Sequence, residues 1–137
     1  MTRPTTLSET YDRIAQGEPR EGLFAGFLDT FYGTDDLDRQ AAMLADEPAL
    51  LEDARLNALA GGMAEYLSKQ VIRRAPPRWA SGPARRLAEP WFTVENAGPG
   101  MKEWLVFSSP AEFLHRNIFT ESQPFRRASQ ARPRSPS

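Results

Sequence analysis

Proline placement in the second half of the chain is the strongest constraint on its fold. Five prolines lie between residues 76 and 99, and all three tryptophans lie between residues 79 and 104. Because proline fixes φ and lacks an amide N–H, long helices and inner strands are excluded there. The sequence therefore predicts short helical turns at 77–80 and 83–89, with Trp79, Trp91 and Phe92 folded back as apolar anchors.

The first half instead carries apolar residues at helical spacing. Leu7, Tyr11 and Ile14 fall on one face of a short helix, and residues 23–32 form the broad apolar stripe of a second. That stripe also fits a homodimer interface, because it is wide for so short a helix. The sequence predicts a third helix from a cap at Thr34 or Asp35 to residue 45, and the longest helix from Pro48 to about residue 70.

Two adjacent glycines interrupt that longest helix. Gly61 and Gly62 each cost about 1 kcal/mol relative to alanine if the helix continues through them. The pair indicates close packing of a neighbouring element, with Trp79 or Trp91 as candidates, while a hinge or a partner groove is the alternative.

Later segments predict two further elements. Residues 101–107 favour a helix over a short strand. The stretch Ser109-Pro110-Ala111-Glu112 has the pattern of a helix start, with Ser109 as N-cap and Glu112 closing a capping box.

Together these patterns predict a mainly α fold. The expectation is a single small helical domain of five or six helices over residues 1–128, with a Pro/Trp-rich irregular segment. With 137 residues, 40% of them apolar, the chain can bury one core. Residues 129–137 have no apolar residue except alanine and predict a disordered tail.

Composition also bounds the function. The chain has no cysteine, which excludes disulfide scaffolds and thiol catalysis. No apolar run approaches the length of a membrane span, so a cytoplasmic protein without membrane contact is expected. Residues 1–70 carry a net charge of −7 and residues 71–137 one of +6. Either the two halves pair internally or the basic half serves a partner.

Candidate chemistry is sparse. His115, the only histidine, could act as a base oriented by Glu112, with Ser108 or Ser109 as nucleophile, but a capping serine and a surface histidine explain these residues better. The acidic group Asp35, Asp36 and Asp38 could hold Mg²⁺, but acids at a helix start are favoured by the macrodipole. The sequence predicts no catalytic residue, metal or cofactor.

Four short motifs resemble an uncharacterised bacterial domain. They are Pro76-Pro77-Arg78-Trp79, Pro90-Trp91-Phe92, the 109–113 segment and Arg116-Asn117-Ile118-Phe119. That domain often follows a Cro/C1-type helix-turn-helix and is encoded beside a nucleotidyltransferase-like protein, in a toxin–antitoxin-like arrangement. The similarity covers about residues 56–128, and residues 1–50 do not resemble the usual DNA-binding domain.

The resemblance implies a non-catalytic, antitoxin-like accessory protein that binds a protein partner, and the aromatic residues fit such a role. The alternative is an RNA-binding or regulatory protein that uses the basic half. The predicted partner-binding residues are Arg78, Trp79, Trp91, Phe92, Arg116, Asn117 and Phe119. The predicted nucleic-acid contacts of the alternative are Arg73, Arg74, Arg85 and Arg86.

Overall fold

The structure is a computed structural model that describes residues 3–122, 124 and 125. Within these residues the fold is mainly helical, with six α-helices, as the sequence predicts. The tail predicted for residues 129–137 lies outside the described residues. The chain divides into two compact units, one containing residues 3–49 with Phe125 and the other Leu50–Pro124. The single domain predicted over 1–128 stays a prediction.

Three helices build the first unit: α1 (Leu7–Ala15), α2 (Arg20–Gly33) and α3 (Leu37–Ala45). The stripe on α2 faces the core of this unit, with Phe27 and Phe31 fully buried and Phe24 edge-on to Tyr11 at 5.8 Å between ring centroids. The homodimer interface predicted at 23–32 is therefore wrong, because this face is already covered.

The cap of α3 lies one residue later than predicted. The Asp36 carboxylate accepts hydrogen bonds from the amides of Asp38 and Arg39 at 2.8 and 3.2 Å. A capping role thus accounts for the central member of the acidic group. Across the described part of the chain, no three acidic or histidine side chains gather as metal ligands.

The second unit begins with α4 (Ala54–Tyr66), which continues as a π-helical turn over Leu67–Ile72. The predicted start at Pro48 is wrong: the Asp53 carboxylate caps α4 by accepting from the amide of Arg55 at 2.9 Å. Two 3-10 turns follow, at Arg78–Ser81 and Pro83–Arg85, where the prolines predicted short turns.

The remaining elements are β1 (Trp91–Phe92), α5 (Pro99–Ser108), α6 (Ala111–Leu114) and β2 (Ile118–Phe119). The helix favoured for 101–107 is confirmed. The two strands pair in parallel, with Trp91 opposite Ile118 and Phe92 opposite Phe119, a ladder that helical periodicity did not predict. None of the helices within the described ranges has the length and apolar character needed to cross a bilayer.

The predicted capping box at Ser109 is wrong. Pro110 occupies the N-cap of α6, which has no side-chain cap. The Ser109 hydroxyl instead accepts from the amide of Thr120 at 2.9 Å and lies 2.5 Å from the carbonyl of Leu105, to which it donates. Ser109 therefore ties the end of α5 to the residue after β2.

Candidate protein-binding surface

Glycines 61 and 62 lie inside α4 without interrupting it, and both are buried. A Cβ on Gly61 would lie 2.7 Å from the Arg85 Cβ, and one on Gly62 would lie 2.5 Å from the Phe113 ring. The predicted close packing is thus confirmed, but the neighbours are Arg85, Arg116 and Phe113 rather than a tryptophan. Because the contacts are tight on both glycines, the alternative of an open groove is wrong.

Arg116 packs against this glycine surface and is 1% exposed. Its Nη2 donates to the carbonyl of Ala80 at 2.6 Å, and its Nη1 donates to the carbonyl of Glu112 at 2.6 Å and to the Glu65 carboxylate at 2.5 Å. The guanidinium therefore joins α4, the first 3-10 turn and α6. Arg116 cannot touch a partner from this position, so its predicted place in a binding surface is wrong.

Glu65 is the centre of the ion cluster formed with Lys69, His115 and Arg116. Its carboxylate lies 2.8 Å from Lys69 Nζ and 2.7 Å from His115 Nε2. Burial alone would raise the pKa of Glu65, but hydrogen bonds from Lys69, Arg116 and His115 outweigh it and hold the pKa at about 2. Glu65 therefore stays ionised in the folded protein far into the acid range.

The low pKa of Glu65 leads us to expect that the folded protein loses stability in acid. A carboxyl whose pKa is lower in the folded than in the unfolded chain stabilises the fold above the unfolded value, about 4.5, and loses that contribution as pH falls toward 2. The full pKa shift corresponds to about 3 kcal/mol in the free energy of unfolding. Because solvent screens this partly exposed group, we expect a loss of about 2 kcal/mol. Urea denaturation from pH 7 to 2 should show this loss in the wild type and not in Glu65→Gln.

Glu103→Gln is the matched control, because the Glu103 side chain is exposed on α5 outside the cluster. It should keep the acid dependence of the wild type. If the free energy of unfolding falls equally steeply with pH in Glu65→Gln and in the wild type between pH 4.5 and 2, the role given to Glu65 is contradicted.

The contacts of His115 in this cluster also bear on its catalytic alternative. Its ring nitrogen faces Glu65 from α4 rather than Glu112, the orienting residue in the catalytic alternative. Ser108 and Ser109 donate to the backbone carbonyls of Leu105 and Thr120. Within the described residues, the hydroxyls of Ser108 and Ser109 thus face these carbonyls and the His115 ring faces Glu65, so the nucleophile and base of that alternative are not hydrogen-bonded to each other.

Asn117 has a structural position as well. Its φ of 64° is left-handed, a conformation that asparagine tolerates better than most residues. Its Nδ2 donates to the carbonyl of Leu87 at 2.9 Å, and its own carbonyl accepts from the amide of Trp91 at 2.8 Å. Asn117 thus turns the chain out of α6 and starts the parallel ladder.

The aromatic residues predicted to bind a partner are half-buried. Phe92 and Phe119 stack at 4.7 Å between centroids, and Lys102 lies 5.3 Å from the Phe92 ring. The Arg55 guanidinium covers Trp91 at 5.4 Å. These rings therefore serve partly as packing between elements of the second unit.

The predicted nucleic-acid residues separate into two groups. Arg85 is 1% exposed, lies 5.0 Å from the Trp79 ring and donates to the carbonyl of Asn57 at 3.4 Å. Its predicted contact with nucleic acid is wrong, because folding buries the guanidinium. Arg73, Arg74 and Arg86 are exposed, and so is Arg78, one of the predicted partner-binding residues.

Among the residues that the structure describes, the most exposed large apolar side chain is Phe107, on α5. Met101, Trp104 and Phe107 recur every third residue, so they form one strip along the helix, which we call the α5 strip. Trp104 is 53% exposed and Phe107 is 88% exposed, whereas Leu105 on the inner face is fully buried. Aromatic residues and methionine are enriched in protein interfaces, so the α5 strip has the composition of an interface.

No family model, curated protein or solved structure matches the chain. The resemblance noted in the motifs of the second unit therefore stays a prediction. Met101, Trp104 and Phe107 are not among the partner-binding residues that the sequence predicts. Their three-residue spacing is the signal that could have identified the strip, but spacing alone does not say which face of a helix is covered.

Proposed function

We propose that this chain is a non-catalytic accessory protein that acts by binding another protein, with the α5 strip as the docking surface. The exposure of Phe107 and Trp104 carries the proposal. Exposing two large aromatic rings to water is unfavourable, and burying them against a partner removes that cost. Ser109 ties the end of α5 to Thr120 and Leu105 is fully buried, so the strip is held in place before binding.

The partner proposed from the resemblance is a nucleotidyltransferase-like protein, for which this chain would be the antitoxin-like companion. All four motifs that carry the resemblance lie in the second unit, which also carries the α5 strip. Two motif residues, Arg116 and Asn117, hold that unit together through the contacts described above. The motifs would then maintain the unit that presents the strip.

RNA binding is the second candidate, and one observation favours it. Arg73, Arg74, Arg78 and Arg86 remain exposed within 14 residues of sequence, and phosphate contacts need such side chains. Any RNA bound by these residues would dissociate as salt rises, because released counterions drive the binding.

The experiment is an affinity capture from cells of the source organism at about 50 and 500 mM salt, followed by native mass spectrometry. It compares the wild type with the double variant Trp104→Ala/Phe107→Ser. We expect one stoichiometric protein partner that survives high salt, because apolar contacts are insensitive to screening, and that the double variant fails to retain.

The captured protein is then purified and its complex reconstituted, and Leu50→Ser serves as the matched control. Leu50 is exposed and apolar like the strip, lies in the same unit and is not part of α5. Recovery of RNA that washes off at 500 mM salt would favour the second candidate. A partner bound equally by the wild type and the double variant would contradict the docking role of the strip.

A further inference from the structure

The α5 strip is too small to hold a partner that brings no apolar surface of its own. An aromatic side chain buries about 150–250 Å², so the exposed parts of Trp104 and Phe107 amount to roughly 300 Å². A specific interface buries about 1,200–2,000 Å² in total, a little over half of it apolar. One strip thus supplies less than half of the apolar area required, and an equal patch must come from the other side.

A second copy of the chain brings that patch. Two strips contribute roughly 600 Å² from the aromatic rings, and Met101, which is 44% exposed, adds to it. The total approaches the apolar area of a small specific interface. Twofold pairing uses the same residues on both sides, so no other apolar surface is needed.

The order of residues along the strip suits such pairing. Trp104 lies midway between Met101 and Phe107, three residues from each. Two antiparallel α5 helices related by a twofold axis at Trp104 would therefore set Met101 of each copy against Phe107 of the other. A flexible thioether against an aromatic ring is a favourable contact. A parallel pair would instead place Met101 against Met101 and Phe107 against Phe107.

We propose that the α5 strip binds a second copy of this chain in an antiparallel, twofold-symmetric pair. The inference rests on the proposed function, in which the strip is a protein-binding surface, and it names one occupant of that surface. The second copy and the other partner would then compete for the same strip, so the accessory protein would exchange one for the other, and loss of the strip would remove both assemblies.

Sedimentation equilibrium of the purified full chain from about 1 to 200 µM tests the pair. The wild type should form dimers, and Trp104→Ala/Phe107→Ser should weaken the dimer at least about 30-fold, while Leu50→Ser keeps it. A wild type that stays monomeric over the whole range would overturn the proposal, as would a dimer of unchanged affinity in the double variant. If the double variant does not fold, Phe107→Ser alone replaces it, because 88% of Phe107 is already exposed.

Disulfide cross-linking tests the antiparallel order. Because the chain has no native cysteine, only the introduced cysteines can pair. In a mixture of Met101→Cys and Phe107→Cys chains under mild oxidation, the mixed disulfide should predominate. Positions 101 in the two copies would be offset by six helical residues, about 9 Å, which is beyond disulfide reach. Predominance of the 101–101 and 107–107 disulfides would overturn the antiparallel arrangement.

The two proposals fail separately. A monomeric wild type that still captures a partner, and loses it in the strip variant, overturns the pair and leaves the proposed function standing. A dimeric wild type that captures no other protein supports the pair and removes the accessory role.

Discussion

Replacing Arg116 with alanine should destabilise the protein by about 3–5 kcal/mol, the usual cost of removing one member of a buried ion pair. The substitution removes donors from the carbonyls of Ala80 and Glu112 and leaves the Glu65 carboxylate without its buried partner. It also leaves a cavity beside Gly61. Urea denaturation at pH 7 measures the change in the free energy of unfolding.

Lys69→Ala is the matched control for Arg116. Lys69 pairs with the same carboxylate at 2.8 Å, but about half of its side chain is exposed. An exposed ion pair contributes at most about 1 kcal/mol, so the loss should be several-fold smaller. Losses of similar size in the two variants would contradict the buried guanidinium as the main source of the cluster's stability.

Gly61→Ala is the second large effect, and we expect a loss of about 3 kcal/mol. The added methyl group would lie 2.7 Å from the Arg85 Cβ, 2.9 Å from Arg116 Nε and 3.0 Å from the carbonyl oxygen of Ala80. Two of these atoms belong to the backbone or lie next to it, so they cannot move aside cheaply. Overpacking of this kind costs about 1–3 kcal/mol and more than offsets the gain in helix propensity.

The same substitution at Gly22 should have the opposite sign. Gly22 lies in α2 and is exposed, and no atom lies within 4 Å of the position that an added methyl group would take. Alanine there should stabilise the protein by up to about 1 kcal/mol through helix propensity and a more restricted unfolded chain. Thermal and urea denaturation of the two variants give the comparison, and a neutral Gly61→Ala would show that α4 is not tightly packed at this point.

Local patterns in the sequence predicted the helices well, because periodicity and caps act over a few residues. The stripe at 23–32, the helix at 101–107 and the short turns among the prolines are all confirmed. The boundary at Asp53 was missed because Pro48 offered a second helix start. The capping box predicted at Ser109 is wrong because the Ser109 hydroxyl has a partner 11 residues away, at Thr120.

The candidate surface was harder to predict, because burial depends on contacts far apart in sequence. Arg116 and Arg85 have the composition of a binding site, yet both lie against Gly61 in the folded chain. Gly61 is more than 20 residues from either arginine in the sequence, so spacing carries no information about this contact. For the same reason, nothing local indicates that Phe107 remains outside while Phe113 becomes core.

The α5 strip must be a free surface, and not part of the core, for both proposals to hold. The unfolding free energy of Trp104→Ala/Phe107→Ser, measured below the concentration at which the chain dimerises, tests this claim most directly. We predict a change within about 1 kcal/mol, as for other surface substitutions. A loss of more than about 3 kcal/mol, the cost of truncating a buried aromatic residue, would contradict it.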